Sequence, residues 1–397
     1  MNSRFILFLI LGVDALILLF QTDKLSITYD EASSLYGSFS VLGQIVKISL
    51  TLFGQNDFAL RLPLITMHLL SVLLLYQISS RYIKLEKNRI YLVLFFVLLP
   101  GIISSALIVN SAGLLIFCLL LFVYIYQNYH IGYSYFLLFV YSFIEANFAF
   151  LYISLLIYAL HKRDRNFFIF NLFLLVASLY LYGINTHGSP RGYFLDSMGL
   201  YAAIFTPIVF IYMVYTLYRK FLVKEMDVIW FIATIAFVIS LLLSFRQRIS
   251  LEHFAPYLVL ALPLMAQIFE QSYRVRLNIF RKNYRFMFVV ALIFLIANSL
   301  VIFLNEYFYL FIKEPKKHFA YKMHVAKPLA DELKQQGINC VDTDERMQKR
   351  LLFYGVTKCN TYKLSEKIDK SQNQLNVTIG YKNKQLYSGY VTKINKD

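Results

Sequence analysis

Long apolar runs decide what this chain can be. "YLVLFFVLLPGIISSALIV" from Tyr91 and "FIATIAFVISLLLSF" from Phe231 approach or reach the roughly 20 apolar residues that cross a bilayer core. Hydrophobic residues fill 58% of 397 positions and charged residues 16%, against about a quarter charged in a soluble domain. No water-soluble core could hide that much apolar surface, so the sequence reads as a polytopic membrane protein. A net charge of +16 would suggest nucleic acid in a soluble chain. Here the bases gather in short turns between apolar runs, "RYIKLEKNR", "HKRDRN", "YRKFLVK" and "RVRLNIFRKNYR". That is the pattern of cytoplasmic loops, and it implies membrane lipids and no nucleic acid as partners.

The first run, Phe5 to Phe20, follows Arg4, is interrupted by Asp14 and lacks a small-residue cleavage site before "QTDKLS". It therefore reads as an uncleaved first helix. An acid inside a membrane is a functional candidate by default, but a partner-bonded structural role suits Asp14 better. The count of spans turns on Tyr135 to His161. One helix there would send "HKRDRN" outside, whereas two short helices meeting near Glu145 and Asn147 keep every basic turn on one side. The charge bias favours the split. About eleven helices follow, near residues 4–20, 58–80, 90–107, 111–127, 133–144, 147–161, 166–183, 199–218, 227–244, 253–270 and 286–311. The N-terminus then lies in the cytoplasm and the C-terminus outside.

From Lys313 the composition becomes that of a water-soluble domain. "AKPLADELKQQGINCVDTDERMQKRLLFYGV" predicts an amphipathic helix, a short strand after Gly337 and a second helix over Glu345 to Phe353. "VTKCNTYKL" and "LNVTIGYK" are strand-like, and the tail after the latter reads as its hairpin partner. The expected fold is thus an all-α polytopic membrane domain, residues 1–312, carrying a small extracytoplasmic α/β domain, residues 313–397. That domain shows no glycine-rich phosphate loop and no metal-spaced histidines, and it would cover the membrane site, grip an acceptor or stabilise the fold. Cys118 reads as a packed helix residue. Cys340 and Cys359 both lie in the outer domain, where an oxidising compartment permits a bridge.

The outward loop from Gln21 to about Asp57 holds "YDEASSLYGSFS" and then "SVLGQIVKISLTLFG", an interface-lying helix candidate. "GQNDFALRLP" leads into the second membrane helix. A first outward loop with Asp-Glu-Ala, an interfacial helix, then Phe-Gly, an acidic residue and Ala-Leu-Arg-Leu-Pro resembles the GT-C glycosyltransferases. Within them it is most similar to the branch of the dolichyl-phosphate-mannose protein mannosyltransferases and the bacterial lipid A aminoarabinose transferases. The resemblance spans residues 1 to about 110 well, the later helices generically and the outer domain weakly.

It implies transfer of a sugar, with inversion, from a polyprenyl-phosphate donor to an envelope lipid, glycan or protein acceptor on the outer face of a bacterial-type inner membrane. Such a step needs a carboxylate to take the acceptor's proton and cations to hold the departing phosphate. Asp30 matches the family's loop carboxylate and would be the base, with Glu31 orienting the acceptor or a metal. The bland alternative for "YDE" is a helix N-terminus in a wet loop. Arg61 becomes a phosphate-facing candidate, where otherwise it would be a snorkelling arginine. "SFRQRISLEHFAPYLVLALP" loosely matches a family site for the donor phosphate and nominates Arg248 and His253, beside Arg246.

One departure stands out. The next outward loop, "ALIVNSAGLL", offers Asn110 and Ser111 where the family often has a second acid, and "FIEANFAF" offers Glu145 as a replacement. Dependence on a divalent metal is therefore left open. A transporter or flippase of a lipid-linked or anionic substrate is the alternative from another class. It would show inverted repeats with charged, broken mid-membrane segments in both halves, and neither is visible. An inactive relative is the third reading. The topology has a direct check: in intact cells Arg163→Cys should be shielded from a membrane-impermeant thiol reagent and Gly188→Cys labelled. Labelling at 163 overturns the helix count.

Overall fold

The computed structural model describes residues 3–37, 39–183, 192–365, 374–382 and 384–393. Gly188, the labelling site above, lies outside the described residues. The chain divides into two compact units. One comprises Met1–Leu16, Leu64–Ala106 and Asn110–Ser299; the other comprises Ile17–Pro63, Leu107–Val109 and Leu300–Asp397. The segment from Gln21 to Asp57 thus shares a unit with the C-terminal region. The hydrogen bonds described below are the reason.

The first unit is a bundle of apolar helices. Among the described residues of the whole chain, five helices are by themselves long and apolar enough to cross a bilayer: Ser3–Thr22, Asp57–Ser79, Ser111–Asn128, Arg165–Tyr182 and Asn278–Phe303. Shorter apolar helices are Ile131–Tyr141, Ala146–Lys162 and Val228–Ser244. Their outward faces carry exposed apolar side chains such as Phe8, Ile169, Phe173 and Phe286, as lipid-facing surfaces do. The protein is an integral membrane protein. The predicted split of Tyr135 to His161 is present, with Glu145 and a 3₁₀ turn at Ala146–Phe148 between the two helices.

Four expected spans depart from prediction, and the one near 253–270 is divided into the helices Ala255–Val259 and Ala261–Val275 after a 3₁₀ turn at Leu251–His253. The run near 90–107 bends by 60° between Glu86–Leu98 and Pro100–Leu107, because Pro100 brings no N–H and disfavours helix in the residue before it. The run near 199–218 is broken by 106° between Phe194–Phe205 and Pro207–Leu222. There Thr206 takes φ 64° ahead of Pro207. The last helix begins at Asn278, not near 286. Inside the bundle, Asp14 Oδ2 lies 2.7 Å from Nε2 of buried His68, whose ring stacks on Phe96. Asp14 thus has the structural partner expected of it.

The second unit is mixed. Its C-terminal part has helices Ala326–Gln335 and Glu345–Phe353, close to their predicted positions, and a sheet of β1 (Tyr362–Ser365), β2 (Gln374–Tyr381) and β3 (Lys384–Lys393) in the antiparallel order β1-β3-β2. Alternate residues Leu364, Val377, Ile379, Tyr387 and Val391 pack on Leu329, Leu333 and Leu351, the period-two burial of a one-faced sheet. The strand expected after Gly337 is reduced to parallel bridges, Cys340 to Thr357 and Asp342 to Lys363. Cys340 and Cys359 form a disulfide with Cα atoms 5.4 Å apart, and Cys118 is buried and free.

A buried histidine pair sits in the same unit. His318 donates from Nε2 to the Asn305 carbonyl at 3.0 Å and accepts at Nδ1 from the Ala320 amide at 3.0 Å, an arrangement that only the neutral ring satisfies. Burial depresses the pKa of both rings, that of His324 to about 4. A histidine held neutral contributes stability above its unfolded pKa of about 6.5 and loses it as pH falls towards the folded value. Unfolding of this unit, followed by limited proteolysis, should therefore ease between pH 6.5 and 4, by on the order of 3 kcal/mol. His324→Gln should flatten that slope, and an unchanged slope would remove the histidine from the account.

Candidate active site

The second unit holds one group of candidate residues. "TYDE" is a helix start: Thr28 caps the helix Tyr29–Tyr36, its hydroxyl accepting from the Glu31 amide at 3.3 Å while Glu31 Oε2 accepts from the Thr28 amide at 2.7 Å. This is a reciprocal capping box. It places Asp30 and Glu31 in the first turn, where the helix dipole favours negative charge. The two neighbours then face different worlds. Glu31 is 0% exposed, and its Oε1 accepts from the Val109 amide at 2.8 Å. Asp30 is exposed, and among the described residues its carboxylate carries no hydrogen bond or ion pair.

Arg61 lies behind Glu31 and is 1% exposed. Its Nε donates to the Leu107 carbonyl at 2.7 Å, and its terminal nitrogens donate to the carbonyls of Leu25 at 2.9 Å and of Thr22 and Ser26 at 3.3 Å. Carboxylates of Asp57 and Glu31 stand 3.6 and 3.7 Å away. The guanidinium proposed from resemblance for a phosphate is thus already enclosed by protein acceptors, and it is no snorkelling arginine either.

Asp57 continues the network. Its Oδ1 accepts from the Tyr354 hydroxyl at 2.7 Å, and that hydroxyl accepts from the Ile27 amide at 2.9 Å. Lys327 Nζ reaches Asp57 Oδ2 at 3.0 Å, and Arg350 Nε donates to the Ile27 carbonyl at 2.9 Å. The loop is therefore fastened to the helices Ala326–Gln335 and Glu345–Phe353. The next helix, Val41–Phe53, is seated by Gly43: a Cβ there would stand 2.4 Å from the Ser34 carbonyl oxygen.

Two cations of this region escaped sequence reading. The Arg346 guanidinium carbon and Lys349 Nζ lie 5.8 and 5.4 Å from the ring centre of Tyr29, one residue before Asp30. Their signal was present in "ERMQKR", where Arg346 and Lys349 fall on one helical face, but nothing in the sequence pairs that face with Tyr29.

The other unit gathers a polar cluster. Asn147 Nδ2 donates to Glu145 and to His253 Nδ1, the latter at 2.6 Å, and Ser111 Oγ lies 3.4 Å from the same nitrogen. Nδ1 acts as acceptor, so Nε2 of a neutral His253 holds the proton. Glu145 and His253 are thus brought together, through an asparagine that was not nominated. Asn110 caps the helix Ser111–Asn128 at 3.2 Å from the Ala112 amide. With Ile102, Ile116, Leu251 and Pro256 it also lines a cavity of about 250 Å³. Arg248 and Arg246 are exposed after the helix Val228–Ser244, and neither has an acidic partner among the described residues. No three His, Cys, Asp or Glu side chains among the described residues group as a metal site would require.

Two crystal structures of ArnT from Cupriavidus metallidurans share this architecture over 97% of both chains, the apo form with TM-score 0.58 and 13% identity, the form bound to undecaprenyl phosphate with 0.61 and 12%. The chain has the GT-C glycosyltransferase fold. No family model and no curated protein matches its sequence.

The two adjacent acids separate cleanly in a stability measurement. Glu31→Gln should lower stability by about 1–3 kcal/mol, since it strips charge from a buried, bonded position, and Arg61→Ala by about 3–5 kcal/mol. Asp30→Asn should stay within about 0.5 kcal/mol. Thermal unfolding of the purified variants in detergent reads all three, and equal losses for Asp30→Asn and Glu31→Gln would contradict the geometry.

Proposed function

We propose that this protein is a membrane glycosyltransferase that moves a sugar, with inversion, from a polyprenyl-phosphate donor to a hydroxyl or amine of an envelope lipid, glycan or protein. The transfer takes place on the outer face of a bacterial inner membrane, with the N-terminus cytoplasmic and residues 313–397 outside. The observation that carries this is the contrast at the loop helix: one carboxylate buried and consumed by the fold, its neighbour exposed and unpartnered within a GT-C architecture. Asp30 is the base. It takes the acceptor's proton as the nucleophile closes on the sugar carbon from the side opposite the leaving phosphate.

Glu31 and Arg61 position the helix that presents Asp30. Charge for the leaving phosphate comes from exposed Arg248 and from the Nε2–H of His253. Arg346 raises the positive potential beside Tyr29 and draws the anionic donor head group inward, while Lys349 is paired with Glu345 at 2.9 Å. The 250 Å³ cavity has an apolar side that includes Ile102, Ile116, Leu251 and Pro256, beside Ser104, Ser105 and Glu252, and that side suits the first isoprene units of the donor. The disulfide supports an oxidising compartment for the C-terminal region.

Transfer of labelled sugar from native donor lipid by purified variants tests the reading, once envelope glycans or glycolipids compared with and without the protein have identified donor and acceptor. Asp30→Asn should lose about 10²-fold to 10⁴-fold in rate, equivalent to about 3–5 kcal/mol of barrier, with donor binding retained. Wild-type turnover in Asp30→Asn would remove the base from this position.

A further inference from the structure

A cavity of about 560 Å³ opens between the last turns of the helices Pro207–Leu222 and Ala261–Val275, lined by Arg219, Gln271, Ser272, Val275 and Arg276. Its volume falls within the ~300–1,000 Å³ of small-ligand sites. The flanking cations are neutralised: Lys220 pairs with Glu225 at 2.7 Å, and Arg274 pairs with Glu270. The two arginines on the wall are not; among the described residues neither has an acidic partner. Both are nevertheless held in place, Arg219 by a 2.8 Å hydrogen bond to the Ser272 hydroxyl and Arg276 by stacking 4.2 Å over Tyr284. Two anchored, unneutralised guanidinia beside Ser272 and Gln271 form a receptor for a phosphate, whose oxygens match the guanidinium fork.

The apolar surroundings identify the carrier of that phosphate. Val275, Leu277 and Ile279 are 87%, 70% and 78% exposed and interleave with Arg274, Arg276 and Arg281, as in a segment lying among headgroups with its apolar side chains in the acyl region. A free anion would gain nothing from them, whereas a lipid has tails to lay against them. We propose that this cavity binds the phosphodiester headgroup of an anionic membrane lipid such as phosphatidylglycerol. Under the orientation proposed above, it lies in the cytoplasmic leaflet. The site is separate from sugar transfer: Arg248 and His253 follow the other end of the helix Val228–Ser244, whose 17 residues span about 25 Å.

Native mass spectrometry and thermal unfolding of the full-length protein in detergent provide the test, with phosphatidylglycerol, phosphatidylcholine or glycerol phosphate added. Phosphatidylglycerol should bind and raise the midpoint by about 3 °C or more. Arg219→Gln with Arg276→Gln should weaken binding on the order of thirtyfold, at about a factor of five per cation. Lys282→Gln with Arg285→Gln, which removes equal charge from the same segment outside the cavity, should leave it within about twofold. If the first pair does not fold, exposed Arg276→Gln alone is measured by mass spectrometry, with about a fivefold loss expected. Equal binding of phosphatidylcholine, an equal shift with glycerol phosphate, or equal losses from both double variants would overturn the proposal.

Discussion

Arg61 is the interaction on which its unit depends. Near the end of the first helix and in the turn after it, the carbonyls of Leu25 and Ser26 lack regular helical partners, and so does that of Leu107 at the end of another helix, while that of Thr22 accepts from the Leu25 amide at 3.4 Å. Each would be costly to bury unsatisfied. One guanidinium serves all four, and Asp57 and Glu31 offset its charge. A buried ion pair of this kind adds little stability over an apolar replacement, but losing one partner is severe. Its value here lies in specifying one conformation. The arrangement holds the loop helix in a single place, and Asp30 is presented by that helix.

Membrane character and the small C-terminal fold were legible because both rest on local pattern. Apolar runs, a charge bias and period-two strands need no knowledge of the rest of the chain. The split at Glu145 was readable for the same reason, since the basic turn at Arg163 constrained it. The bends before Pro100 and Pro207 were also local, and a stricter weighing of the residue before each proline would have found them.

The partition of roles between Asp30 and Glu31 was not legible. Both fall in the first turn of one helix, and only tertiary packing decides which is consumed. The same holds for Tyr354 and Arg350: a tyrosine and an arginine on a soluble helix announce nothing about the Ile27 backbone. Arg61 sat in a suggestive motif, yet the motif could not say whether its N–H groups pointed to a ligand or to the protein. At 12–13% identity to ArnT, few individual residues are shared across the common architecture.

The long reach of Tyr354 also orders events in time. Its hydroxyl meets the Ile27 amide across 327 positions of sequence. At ribosomal rates of about 5–20 residues per second, that interval lasts roughly 15–65 seconds. Through it the first loop has been made but its fastening to Tyr354 has not. The loop carboxylates therefore take up their final setting among the last events of biogenesis.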